Sequence, residues 1–307
     1  MLQDTVTFDA FVQRLKDQFN SDDDPTLDKE IVQFLRDNPN PIKSPFADKF
    51  TPEFFKVFTK AAASRLEKYD NSDARHILWA ARCYCRAGQN QIAPGDDAKK
   101  MALAFLRSRE ALFEAQLGKR GTSKSDTIHH FHRSFWCYTH ALRIASATAE
   151  PLSYLSAQYR FRGNVAQEIS EIVDEPNWSW RAAEDAELSA GASRTMSNRA
   201  YQLATSSFRY YETSVKTPEA RLALLNRSFD IGLEAIQHGI KQVNRNRWAH
   251  LCGNLGRVTA QLATFGKREH YQRLARQYLT LALTELEQNP HAQDARYAIK
   301  QALITLK

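Results

Sequence analysis

Apolar residues recur along this chain at steps of three and four. In FDAFVQRLKDQF, Phe8, Phe11, Val12, Leu15 and Phe19 advance by 3, 1, 3 and 4, which is one face of an α-helix. In TIHHFHRSFWCYTHALRIA the stripe is Ile128, Phe131, Phe135, Tyr138, Leu142 and Ala145. No run alternates apolar and polar residues for long enough to form a strand. Helix starts are marked as well. The tripeptide Thr-Pro-Glu at 51–53 and again at 217–219 supplies a capping hydroxyl, a proline for the first turn and a carboxylate at the positive end of the helix dipole. Acidic residues and Pro25 open another helix, with Ile31, Phe34 and Leu35 on one side. Further helices are expected at 72–87, 96–117, 125–148, 151–173, 177–188, 194–214, 217–238, 245–264, 267–288 and 291–306, separated by breaks containing Gly, Pro or cap residues. The stretch DNPNPIKSP, 37–45, reads as an extended connector.

About a dozen helices joined by short connectors favour antiparallel hairpins stacked side by side, an all-α solenoid with a hairpin pitch of roughly 40–50 residues. Composition agrees. Only 11 Gly and 10 Pro occur in 307 residues, too few for an all-β chain that turns every dozen residues. No apolar run reaches the roughly 18 residues of a membrane span, so no membrane is expected. The N-terminus has Asp4 and Asp9 but no basic residue before Arg14, which argues against a secretory or transit signal. Four cysteines, Cys83, Cys85, Cys137 and Cys252, read as buried thiols of a reducing, cytoplasmic setting. Cys83 and Cys85 would point about 200° apart on a helix and cannot share a metal or a bridge there.

Charge divides the chain. Residues 1–50 carry 10 acidic and 6 basic side chains, whereas the whole chain is +7, so the remainder is strongly basic. The same leader is rich in phenylalanine: Phe8, Phe11, Phe19, Phe34, Phe46, Phe50, Phe54, Phe55 and Phe58 all precede residue 60. Two short amphipathic helices cannot bury such faces alone. We therefore expect residues 1–45 to be an acidic, Phe-rich helical cap on a basic helical-repeat domain at 46–307; the sharper alternative is that the leader binds another protein or covers the basic groove until displaced.

The segment WAHLCGNLGRVTAQLATFGKREHYQRLARQYLTLALTELEQNP resembles a tetratricopeptide repeat. Leu255 and Gly256 match the first helix, Ala275 and Ala282 the second, and Pro290 the stop. The spacing from Gly256 to Ala275 is longer than in that family, and Thr259 stands where an aromatic is expected. The resemblance implies helix pairs in close approach and a surface that binds a protein or peptide.

Candidate chemistry is sparse. Arg245-Asn246 followed by His250, and Arg133 followed by His140, resemble the arginine–histidine signature of HEPN ribonucleases. About two such matches are expected by chance in a chain of this composition. His129 and His132 lack a third ligand at metal-binding spacing, so no metal is expected. No cofactor motif is present, and no residue set stands out for catalysis. Binding chemistry is more legible. One face of the helix at 125–148 carries His129, Arg133, Trp136, His140 and Arg143, an aromatic set among cations. The loop GKRGTSKSD, with Lys119 and Arg120, reads as a mobile basic loop. With Arg209 and Tyr210 on a later helix, these residues are the candidate contacts. The function expected from the sequence is a noncatalytic scaffold or adaptor for a protein or peptide, alone or as a subunit of a larger complex. The alternative is an RNA- or DNA-binding protein, with Arg245 and His250 as the catalytic pair if it cleaves RNA.

Overall fold

The structure, a computed structural model, describes residues 5–17, 25–149, 152–173, 175–215, 217–287, 289 and 291–306. Phe19, the acidic run at 22–24 and Pro290 lie outside the described residues. Among those described there are fourteen α-helices and no strand. None is long and apolar enough to cross a membrane. The chain divides into two compact units, Met1–Glu150 and Pro151–Lys307.

The first unit holds α1 (Thr5–Asp17), α2 (Pro25–Asp37), α3 (Pro52–Leu66), α4 (Ala74–Gln91), α5 (Asp97–Lys119) and α6 (Lys124–Ala145). Its core is aromatic. Phe8 stacks on Phe46 with ring centroids 4.6 Å apart, Phe50 stacks on Phe54 at 4.7 Å, and Phe34 meets Phe58 at 5.3 Å. Tyr84 on α4 closes the cluster and donates to the Asn38 carbonyl at 2.9 Å. The apolar stripes of α1 and α2 are thus spent on α3 and α4, each buried Phe contributing about 1.5–3 kcal/mol of transfer free energy. The connector at 37–45 is not extended throughout. Asn40 accepts a hydrogen bond from the Ile42 amide and turns Pro41–Lys43 into one 3-10 turn, and a second follows at Ala47–Lys49. Proline at the first position of such a turn needs no amide donor, which is why a Pro-rich stretch can bend there.

The second unit holds α7 (Leu152–Ile172), α8 (Pro176–Gly191), α9 (Met196–Glu212), α10 (Pro218–Gln237), the single turn α11 (Ile240–Val243), α12 (Arg245–Leu262), α13 (Arg268–Leu286) and α14 (Gln293–Thr305). Each of α7 to α10 packs on the next, then α12 on α13 and α13 on α14. Small residues set the spacing. Ser207 and Ser228 each donate to the other's carbonyl at 2.8 Å across α9 and α10. Ser206 donates to the Ala183 carbonyl at 2.9 Å across α9 and α8. Gly256 lies at a close approach of α12 to α13: a Cβ there would lie 2.5 Å from Leu279 Cγ and 3.2 Å from the Leu279 amide nitrogen. Ala275 and Ala282 are fully buried on α13. The caps read from sequence are in place, with Thr51 accepting from the Phe54 amide and Thr217 from the Ala220 amide.

Candidate functional site

The candidate residues fall into separate places. In the first unit, α6 turns two faces inward. One is the expected stripe, with Phe131, Phe135, Tyr138, Leu142 and Ala145 buried. The other carries His130 and Ser134, which face α5; Ser134 donates to the Ala111 carbonyl at 2.7 Å.

Opposite them α5 presents Glu110 and Glu114, at 1% and 0% exposure. Four residues apart, the two carboxylates share a helix face. Arg82 Nη1 reaches Glu114 at 3.0 Å, Arg133 Nε at 2.9 Å and His130 Nδ1 at 2.7 Å. Glu110 takes Arg86 Nε at 2.6 Å, Arg107 Nη1 at 3.0 Å and Gln89 Nε2 at 3.0 Å. Burial alone would push the Glu110 carboxyl up; hydrogen bonds from Gln89 and Arg86 and the charge on Arg107 hold it below the usual carboxylate range. Arg133 is therefore half-buried and paired rather than part of a wholly solvated basic face.

Arg86, Arg107, Arg133, Trp136 and His140 line a pocket of about 330 Å³ above this network. His140 also lines a neighbouring cleft of about 530 Å³ with Arg143, Lys99 and Lys100 around an apolar floor. Four of the sequence-derived contacts, Arg133, Trp136, His140 and Arg143, thus sit along two adjoining depressions. Cys137 lies in the same pocket, where burial, then the charges on Glu110 and Glu114, pushes its thiol up to about 12 and favours the protonated form.

Lys119 and Arg120 stand elsewhere. Gly118 and Lys119 belong to the last turn of α5, and the loop is a short pinned turn rather than a mobile one. Arg120 donates to the Tyr69 carbonyl at 2.9 Å and to Gln116 Oε1 at 2.8 Å. Arg75 holds both the Arg120 carbonyl, at 2.6 Å, and Asp126, at 2.7 Å. Two of these contacts, the Arg75 side chain and the Tyr69 carbonyl, come from distant positions, and local composition carries no trace of them.

In the second unit a groove of about 1000 Å³ crosses one face of α7, α8, α9 and α10. Leu152, Tyr159, Trp180, Leu188, Leu203 and Leu224 line it. Charged residues edge it: Arg227 pairs with Glu187, Arg199 lies 3.8 Å from Glu234, and Trp180 Nε1 donates to Glu184 at 2.8 Å. Tyr210 reaches this groove, with its hydroxyl 3.3 Å from Glu187. Arg209 does not line it. It donates to the Ala182 carbonyl and to Asn164 Oδ1, both at 2.9 Å, and burial lowers its pKa to about 10.

Arg245 and His250 are five residues apart on α12, about 140° around the helix. Arg245 is held by Glu285 of α13 at 2.6 Å. His250 instead lies within the field of Arg247 and Arg257; desolvation first, and then those two charges, lower its pKa. Arg247 itself rests between the rings of Tyr201 and Phe208 of α9, 4.7 Å from each centroid. The two members of the pair therefore face different neighbours, and the structure does not bring them to one site.

Among the described residues no group of three or more His, Cys, Asp or Glu is placed to hold a metal. Compared with known proteins, the chain matches no family model, no curated protein and no solved structure.

Proposed function

We propose that the protein is a noncatalytic helical scaffold and that the groove across α7–α10 holds a segment of a protein partner. The observation that carries this reading is the groove itself. It is larger than the first unit's depressions, and Leu152, Trp180 and Leu188 present it with large apolar surface about half exposed. Side chains of that kind, exposed in a cluster and edged by charge, mark interaction surfaces. An amphipathic helix suits the shape: its apolar side chains enter between Trp180 and Leu188, and its flanking basic residues meet a rim where three carboxylates outnumber two guanidiniums. The pairwise helix packing and the tetratricopeptide-like hairpin at α12–α13 support the same class. The reading places the protein in the cytoplasm, in keeping with four cysteines that are free in the structure.

Affinity purification from the native host, with nuclease treatment, tests it. The wild-type chain should retain a protein partner after nuclease. The groove variant Leu188→Glu should lose that partner while its melting temperature stays unchanged, because Leu188 is already 48% exposed. Retention of the same partner by Leu188→Glu would sink the reading.

A further inference from the structure

The pocket between α4, α5 and α6 gathers more positive than negative charge. Four guanidiniums, those of Arg82, Arg86, Arg107 and Arg133, meet two carboxylates, Glu110 and Glu114. The protein thus neutralises half of the positive charge it gathers there, leaving a formal excess of two. Each carboxylate is shared by two guanidiniums, so positive charge held partly out of water is only half balanced, and a dianion seated above the network would complete the balance.

The geometry matches. Arg86, Arg107 and Arg133 are anchored from below by Glu110 and Glu114, yet their side chains remain 38%, 36% and 36% exposed. A guanidinium has five N–H donors, and the carboxylate edge engages only part of each fork. The anchoring holds the three forks in place before any ligand arrives, which lowers the ordering cost of binding. Beside them Trp136 is 57% exposed, a large aromatic face set against cations. That pairing of donors for phosphate and a platform for a base is how proteins hold unpaired nucleotides. The pocket, at about 330 Å³, is large enough for one phosphate and one ring and too small for a duplex. Past His140 the surface continues into the cleft of Lys99, Lys100 and Arg143, where a second phosphate could follow.

We propose that this pocket binds a phosphorylated nucleoside, with its phosphate among Arg86, Arg107 and Arg133 and its base on Trp136. The proposal concerns the first unit and does not rest on the scaffold reading of the second.

Calorimetric titration of the full chain tests it with four probes: a nucleoside 5′-monophosphate, a single-stranded RNA hexamer with a 5′-phosphate, the same hexamer without it, and inorganic phosphate. Saturable binding of the monophosphate is the expected result and identifies a free nucleotide as the ligand. Binding by the phosphorylated hexamer alone identifies a strand end, and supports the pocket equally. Either affinity should fall at least tenfold in Arg107→Gln and in Trp136→Ala. The second variant alters an exposed side chain and guards against loss of folding in the first. Equal binding of the two hexamers, inorganic phosphate binding as tightly as the nucleotide, no saturable binding by any probe, or unchanged affinity in Trp136→Ala with the fold intact would each overturn it.

Discussion

Glu114 has no exposed surface, yet it is the carboxylate on which α4, α5 and α6 converge. Arg82 of α4 and both His130 and Arg133 of α6 reach it within 3.0 Å. A buried charge with partners on three helices stabilises only while the set is complete, because each member left alone is a charge out of water. Glu114→Gln keeps the shape and one acceptor but removes the charge. It should cost about 3–5 kcal/mol, since it strands Arg82, whose Nε already lacks a partner in the interior. Urea unfolding followed by circular dichroism measures this. A loss below about 1 kcal/mol would mean that solvent reaches the site and screens it, as at an exposed ion pair.

At the scale of helices, α12 and α13 depend on one missing methyl group. With a Cβ at Gly256 only 2.5 Å from Leu279, which is itself fully buried, Gly256→Ala must separate the helices or drive Leu279 off its rotamer. Overpacking of this kind costs about 1–3 kcal/mol, against a gain of up to about 1 kcal/mol from the better helix propensity of alanine. The variant should therefore unfold at lower urea with an unchanged slope, and greater stability than wild type would show that the two helices can shift apart freely. Gly256 was legible as a close-packing residue because the hairpin around it is small-residue rich. Helix positions were legible for the same local reasons, since caps, prolines and three–four periodicity are properties of neighbouring residues. The carboxylate pair was not. Glu110 and Glu114 interrupt the apolar positions of α5, where Leu106, Phe113 and Leu117 are buried, and a pattern of apolar faces assigns such residues to solvent. Their spacing of four was the available signal, but its meaning depends on Arg82, Arg86 and Arg133, which other helices deliver. For the same reason the sequence grouped Arg209 with Tyr210 as candidate contacts, although adjacent positions on a helix point about 100° apart and only Tyr210 meets the groove.

At the scale of the molecule, the charge asymmetry of the sequence takes a different form from the one its first fifty residues suggest. The acidic leader belongs to a unit that also contains α3–α6, and Met1–Glu150 carries 22 basic and 20 acidic residues, close to balance. The larger excess lies in Pro151–Lys307, with 20 basic and 15 acidic. Each unit also has its own apolar interior: one core runs from Phe8 to Leu117, another from Ala183 to Leu306. Chains of about 150 residues bury roughly 68–70% of their unfolded surface, enough to fold alone. Residues 1–150 and 151–307 expressed separately should therefore each be helical by circular dichroism and melt cooperatively. Removing residues 1–45 from the first fragment should give the opposite result. It takes away Phe8, Phe11 and Phe34 and uncovers Phe50, Phe54, Phe58 and Tyr84, whose rings pack directly on them. An exposed aromatic patch of that size drives association, so the shortened fragment should sediment as aggregate. A soluble, cooperatively melting 46–150 would show that α3–α6 form a complete core and that the leader is an accessory to it.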